Sequence, residues 1–265
     1  RTPEKKTMNL LKNIVWVTAG AVVLSGCQFE KSGATGWNYN DSKNGGFEKT
    51  EFVEQENGPG LILVEGGQFT MGRVTDDLRH EWDMIPRTVT VSSFYMDEVE
   101  VTNFYWLEYL YWLERVYGAD FPEVYKKALP DTLVWRSKLA FTEPYTEYYM
   151  RHPAYRDYPV VGVNWLQAND YCAWRTDRVN ESILIREGVL KMDAVGQVAD
   201  NNFNTDAYLA GQYEGLVKND PVDLDPSKGE GATRKVKMED GILLPRYRLP
   251  TEAEWEFAAI GLIGN

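Results

Sequence analysis

Three stretches of this chain announce a helix start in full, and they lie far apart. Thr102, Asn164 and Thr251 each stand where a side-chain oxygen can accept from the free N–H groups of a first turn. Gln167 and Glu254, three residues beyond the second and third of these, complete capping boxes, and Pro250 precedes the last. Apolar residues then recur at helical spacing. Trp106, Leu110, Leu113 and Tyr117 share a face over Asn103–Tyr117, with Glu108 and Arg115 opposite. Trp165, Ala168 and Cys172 share one over Trp165–Arg178. Trp255, Ala258 and Ala259 share one after Thr251, with Gly261 as the stop. Each of these faces is expected to point into the core. Between such widely spaced helices the fold must be rich in loops, and 9 Trp and 16 Tyr suit that, burying large faces while keeping a polar tip.

Short strands are expected ahead of the first helix. In Gly60–Gly72 the alternation of Leu61 and Leu63 and the pair Gly66-Gly67 read as a hairpin, and Thr88–Phe94 and Tyr95–Val101 continue the period-2 pattern. Two long intervals separate the helices. Gly118–Tyr158 contains EPYTEYYMRHPAYRDYP and is expected to pack on the domain as irregular structure. Asn180–Pro245 is rich in Asn, Asp and Gly after a helical stretch at Ile183–Leu190, and reads as an excursion over the surface. No tandem repeat is visible. Residues 28–59 read as a tether, partly ordered through Trp37, Tyr39 and Phe47, and residues 60–265 as the domain.

The N-terminus carries its own signal. Residues 8–27, MNLLKNIVWVTAGAVVLSGC, place Lys12 before the apolar run Ile14–Leu24, which is well short of the ~20 residues that cross a bilayer. Leu24-Ser25-Gly26-Cys27 resembles a bacterial lipobox, so Cys27 is expected to be lipidated. Gln28 in place of Asp favours the outer membrane, with the domain facing the periplasm. Several acyl chains would hold durably, at ~0.8 kcal/mol per buried CH₂. Arg1–Thr7 ahead of Met8, and the end at Asn265 inside a domain, read as marks of a piece of a longer reading frame. The chain carries −12 net charge, and the N-terminal segment, with Arg1, Lys5, Lys6 and Lys12 against Glu4, leaves the remainder more acidic still. Such a body is poorly suited to wrapping phosphate backbones, which sets nucleic acid aside as a partner.

Four segments in order, LVEGGQFTMG (63–72), MDEVEVTNFYW (96–106), YPVVGVNWLQANDYCAW (158–174) and YRLPTEAEWEFAA (247–259), resemble the formylglycine-generating-enzyme, or sulfatase-modifying-factor, domain family. The resemblance implies an α+β, C-type-lectin-like domain with much irregular loop, here truncated at its C-terminus. Within that family, the lipobox, SGATGWNYNDSKNGGFE and DGILLPRYRLPTEAEWEF look like the gliding-motility lipoproteins of Bacteroidota. That likeness implies a non-catalytic structural component of gliding motility and type IX secretion, with other lipoproteins and outer-membrane components of that machinery as partners.

The family's oxidases use a copper-binding pair of cysteines. Here Cys27 is assigned to lipid, and Cys172 sits on a stripe assigned to the core, where a free cysteine is a small buried hydrophobe. One thiolate alone does not make the two-coordinate soft site that copper(I) prefers. His80 and His152 lack metal-binding spacing. Asp220, Asp223 and Asp225 lack the Gly and distal Glu of a calcium loop and read as a solvated acidic turn. No cofactor is identified; the resemblance admits structural calcium without placing its ligands.

Glu100, Thr102, Asn164, Trp165, Cys172, Trp174, Arg248, Pro250, Thr251, Glu254 and Trp255 are therefore read as structural motif residues. Arg248 is expected to reach a carboxylate, Glu100 first, with Glu252 and Glu256 as further charges; a pocket-lining role for these is the alternative. Trp255 and the two alanines are expected to dock beside the second helix. Phe141–Tyr158 is a contact surface or a cover for the core. Two other functions stand as alternatives: a copper-dependent oxidase of the formylglycine-generating type, and a lectin-like carbohydrate-binding module.

Overall fold

In the computed structural model, which describes residues 30–72 and 85–261, the period-2 segments form four strands. These are β1 (Leu61–Val64), β2 (Gly67–Met71), β3 (Arg87–Val91) and β4 (Phe94–Asp97). β1 pairs antiparallel with β4, Leu61 opposite Asp97, and β2 with β3, Gly67 opposite Val91. Gly66-Gly67 is thus not a hairpin turn between β1 and β2. The step from Val64 to Gly67 matches that from Phe94 back to Val91, so the two pairs are halves of one ribbon bent at Gly66. A Cβ at Gly66 would collide with the Val91 carbonyl and the Ser93 nitrogen, and close backbone approach is what the glycine permits.

The first helix, α1 (Asn103–Tyr117), starts at Thr102, whose Oγ1 accepts from Tyr105 N–H at 3.4 Å. It buries Trp106, Leu110 and Leu113 of the expected stripe, with Tyr109 and Val116 beside them, and Tyr117 is half-buried. The aromatic interval is more regular than its sequence suggests, since it holds α2 (Pro122–Ala128), α3 (Glu143–Tyr148) and several single turns. Trp106 Nε1 donates to Ala128 O at 3.1 Å, and the fully buried Asn103 amide donates to Tyr149 O and Tyr155 O at 3.1 and 2.8 Å. Within the interval, the rings of Trp135 and Tyr149 meet at 4.6 Å and those of Tyr149 and Tyr155 at 5.5 Å. Of the proposed contact surface Phe141–Tyr158, Phe141, Tyr148 and Tyr158 are exposed, whereas Tyr149 is buried.

The next helix, α4 (Trp165–Arg186), opens on the expected capping box: Asn164 Oδ1 accepts from Gln167 N–H at 3.0 Å and Gln167 Oε1 from Asn164 N–H at 2.8 Å. It outruns the expected end at Arg178 because Ile183 and Leu184 have a core to enter. That core overturns the reading of Asn180–Pro245 as a surface excursion. Leu184, Phe203, Tyr208 and Val236 are almost wholly buried there, with Val189, Leu190 and Leu243, and Tyr208 belongs to α5 (Thr205–Leu209).

The described residues divide into two units. The larger runs over Phe52–Asp220 and resumes at Lys235; the smaller joins residues 30–51 to Pro221–Arg234. Inside the smaller, Arg234 pairs with Glu48 at 2.6 Å, Tyr39 meets Phe47 at 5.7 Å, and Asp223 pairs with Lys228 at 2.8 Å. Asp225 caps a single turn through Ser227 N–H. Asp225 is exposed, as a solvated turn requires, whereas Asp223 is buried in its ion pair, so the expected solvated acidic turn holds only in part.

The last helix, α6 (Glu252–Ile260), has its capping box formed and ends at Gly261, whose φ of 56° is the left-handed conformation that glycine adopts freely. Its buried face is not the expected one. Ala253, Phe257 and Ile260 pack on Phe69, Met71 and Val91 of β2 and β3, and Trp255 is 62% exposed. α6 therefore docks on the ribbon and not beside α4. Helices with short paired sheets make the fold α+β. No helix among the described residues is long and apolar enough to cross a membrane.

Candidate functional site

A cleft of about 660 Å³ opens in the larger unit. Its walls are β4 with the chain onward to Val101, the first half of α4, and the extended segment Leu244–Pro250 that leads into α6. Tyr95 and Trp255 are exposed on it, while Val160, Val163, Ala168 and Cys172 are half-buried. The lining is mainly apolar, as small-molecule and peptide sites are.

Its polar floor was not foreseen from the sequence. Arg175 of α4 grips Asp97 of β4 with both guanidinium nitrogens, at 2.5 and 2.7 Å, and donates to Pro59 O at 2.7 Å. The guanidinium also lies 4.4 Å from the Tyr247 ring centre. One fork so holds helix, strand and extended segment together, with each of its charges answered. The sequence carried the signal only in outline: Arg175 follows Cys172 by one helical turn, and Asp97 is the first acidic residue of MDEVEVTN. Burial raises Tyr247, with Arg175 pulling the other way, and pushes Tyr171 up to about 12. The Tyr247 hydroxyl is buried against Gly58, where a Cβ would collide with it.

Cys172 is half-buried on the cleft wall. Burial raises its thiol first, and the nearby guanidinium of Arg175 offsets this only in part. It is a protonated, weakly nucleophilic thiol near neutral pH. Thr176, one turn on, donates its hydroxyl to Cys172 O at 2.8 Å and accepts from Tyr247 N–H at 3.0 Å. Trp165 does not share the buried stripe of Cys172; it is 68% exposed at the helix start. Trp174 lies half-buried against Tyr109, at 5.1 Å between rings.

Arg248 does not reach Glu100. It forks onto Glu254 at 2.8 and 2.6 Å, and Glu254 also accepts from Thr251 N–H at 2.8 Å. Sequence proximity wins here, since the pair closes within a single extended-to-helix corner. Glu256 accepts instead from Gly72 N–H at 2.8 Å, and Glu252 and Glu100 are exposed. His152 accepts from Ala154 N–H at 3.1 Å as a turn cap. Cys27 and His80 lie outside the described residues. Among the described residues, no three His, Cys, Asp or Glu side chains gather as a metal site.

The Arg248 fork, aided by the cap, holds the Glu254 carboxyl at about 2. A carboxyl lowered on folding adds stability above its unfolded value of 4.5 and loses it as pH falls toward about 2. Because Arg248 is largely exposed, Glu254→Gln is expected to cost only ~1 kcal/mol near neutral pH. Urea titrations should show that difference shrinking as pH drops from about 5 to about 2.5; a difference unchanged by pH would contradict the pairing.

The family profile described as Sulfatase-modifying factor enzyme 1-like domain matches residues 46–264. Two relatives align with a shorter stretch. The serine/threonine-protein kinase pkn1 of Chlamydia pneumoniae is 29% identical over 117 residues, 43% of this chain and 16% of that protein. Pkn1 of Chlamydia trachomatis serovar L2 is 30% identical over 114 residues, again 43% of this chain and 16% of the relative. The aligned stretch is thus a small part of each relative's length. No solved structure matches. With most of its length under that profile, the chain belongs to the sulfatase-modifying factor enzyme 1-like domain family.

Proposed function

We propose that the chain is a lipid-anchored, periplasm-facing scaffold of the outer membrane, a structural component of gliding motility and type IX secretion. In this reading its domain is C-type-lectin-like and works by docking other proteins, not by oxidising them. The observation that carries the reading is the engagement of the cleft's basic groups. Arg175 is bound by Asp97, Pro59 O and the Tyr247 ring, and Arg248 by Glu254, so each builds the wall in which it stands. A catalytic centre instead holds groups poised toward the substrate. The lipobox at Cys27 and the acidic surface support an assembly role at a membrane. Lectin-like binding is a use of the same fold class, and the fold alone does not select among uses.

One observation favours a second reading, the copper-dependent oxidase: Cys172 lines the cleft of a chain whose family includes enzymes. The two readings separate in one experiment on the full chain. Affinity capture from detergent-solubilised outer membranes is expected to recover other motility and secretion lipoproteins and their outer-membrane components. The purified chain is expected to leave thiol peptides unoxidised in the presence of copper and oxygen. Recovery of the bait alone, together with copper-dependent consumption of thiol, would reverse the assignment.

A further inference from the structure

Two stretches of main chain border the cleft with no strand laid between them. Every residue from Phe94 to Val101 lines one side, and every residue from Leu244 to Pro250 another. A strand seen face-on presents alternate residues, so an unbroken run places the cleft along the edge of the chain. β1 lies on the other side of β4 and contributes only Leu61.

The polar groups on that edge follow from the register. Glu98 N–H donates to Gly60 O at 3.3 Å, one step beyond the pair Leu61↔Asp97. In an antiparallel ladder hydrogen-bonded and non-bonded pairs alternate. Met96 and Phe94 therefore turn their N–H and C=O toward β1, and Tyr95 and Asp97 turn theirs away from it. Among the described residues no other backbone group pairs with these two. Charge on the rim is one-sided as well. Glu98 and Glu100 are exposed and make no ion pair among the described residues, whereas Arg246 is engaged by Asp206 and Arg248 by Glu254.

We propose that the cleft takes an extended segment of a partner protein as an added β-strand, apolar at alternate positions and basic between them. Its main chain completes the edge at Tyr95 and Asp97. Its apolar side chains enter the wall of Val163, Leu249 and Trp255, and its Lys or Arg residues meet Glu98 and Glu100. This names the partner chemistry for the scaffold reading above and rests on it only for who the partner is.

The test uses the purified chain and a short fluorescent peptide alternating Val and Lys. Saturable binding is expected, weakened by roughly tenfold or more when the amides along one edge of the peptide are N-methylated, and likewise when Glu replaces Lys. E98K/E100K, which alters only exposed side chains, is expected to weaken the Val–Lys peptide to a similar degree. Hydrogen exchange at the Tyr95 and Asp97 amides should slow when the peptide is bound. Equal binding by the methylated peptide, an unchanged affinity in E98K/E100K, or no saturable binding at millimolar peptide each overturns the proposal. Partner capture from membranes without peptide binding would keep the scaffold and remove the strand site. Peptide binding without capture would keep the strand site and remove the machinery.

Discussion

Asn180→Leu is expected to lower the stability of the larger unit by about 3 kcal/mol. Asn180 lies in the second half of α4 and is 1% exposed. Its side-chain amide imitates a backbone: Oδ1 accepts from Leu244 N–H at 2.9 Å and Nδ2 donates to Leu244 O at 3.2 Å. Leu244 is itself buried, in a segment that has no strand partner among the described residues, so this side chain does for it what a neighbouring strand would do. Leucine is close in volume but answers neither group. An abandoned buried donor or acceptor costs roughly 1–3 kcal/mol, and here two are abandoned together. The measurement is the urea midpoint at constant slope, read from tertiary signal. A loss under about 1 kcal/mol would mean that water reaches Leu244 and that the pairing is dispensable. Because Leu244 begins the segment that walls the cleft, the same change should also weaken peptide binding there.

What could be read from the sequence was whatever a helix start or a period writes locally. The caps at Thr102, Asn164 and Thr251 formed as expected, since each needs only residues within one turn. The α1 stripe also formed at Trp106, Leu110 and Leu113, whose i, i+4, i+7 spacing is written within the helix itself, although Phe104, Tyr105 and Tyr111 of the same helix stay exposed. The ribbon was half legible. The alternation was right, but Gly66-Gly67 was taken for a turn, when Gly66 answers a contact with Val91 and Ser93 far along the chain. Phe203 and Val236 were hidden for the same reason, each an isolated apolar residue among polar ones, and Tyr208 sits in an apolar run too short to show a period. Arg175 and Asp97 show the limit for the site. Their fork joins residues 78 apart, and a charge on a helix gives no local sign of whether it faces water or a distant carboxylate.

The orientation of α6 turns that limit into a measurable contrast. Phe257→Ala is expected to destabilise the chain by about 3–5 kcal/mol, and Trp255→Ala by no more than ~0.5 kcal/mol. Trp, as the larger side chain, would ordinarily be the costlier loss, and the stripe Trp255, Ala258 and Ala259 read from the sequence makes that forecast. The structure reverses it. A nine-residue helix offers two apolar stripes, and which one is buried depends on the neighbour. The β2–β3 face presents Phe69 and Met71 at alternate positions, with Val91 on the neighbouring strand opposite Gly67. Phe257 fits there, 4% exposed, its ring 5.3 Å from that of Phe69 in an edge-on arrangement. Removing it leaves a hole bounded by strands that cannot close up, the case in which cavity cost adds to lost transfer energy. Trp255, largely exposed on the cleft, leaves no hole behind. Its removal should instead weaken the alternating Val–Lys peptide while the urea midpoint holds. Equal destabilisation by the two variants, or the larger loss from Trp255→Ala, would show that α6 is turned the other way and that the cleft wall is part of the core.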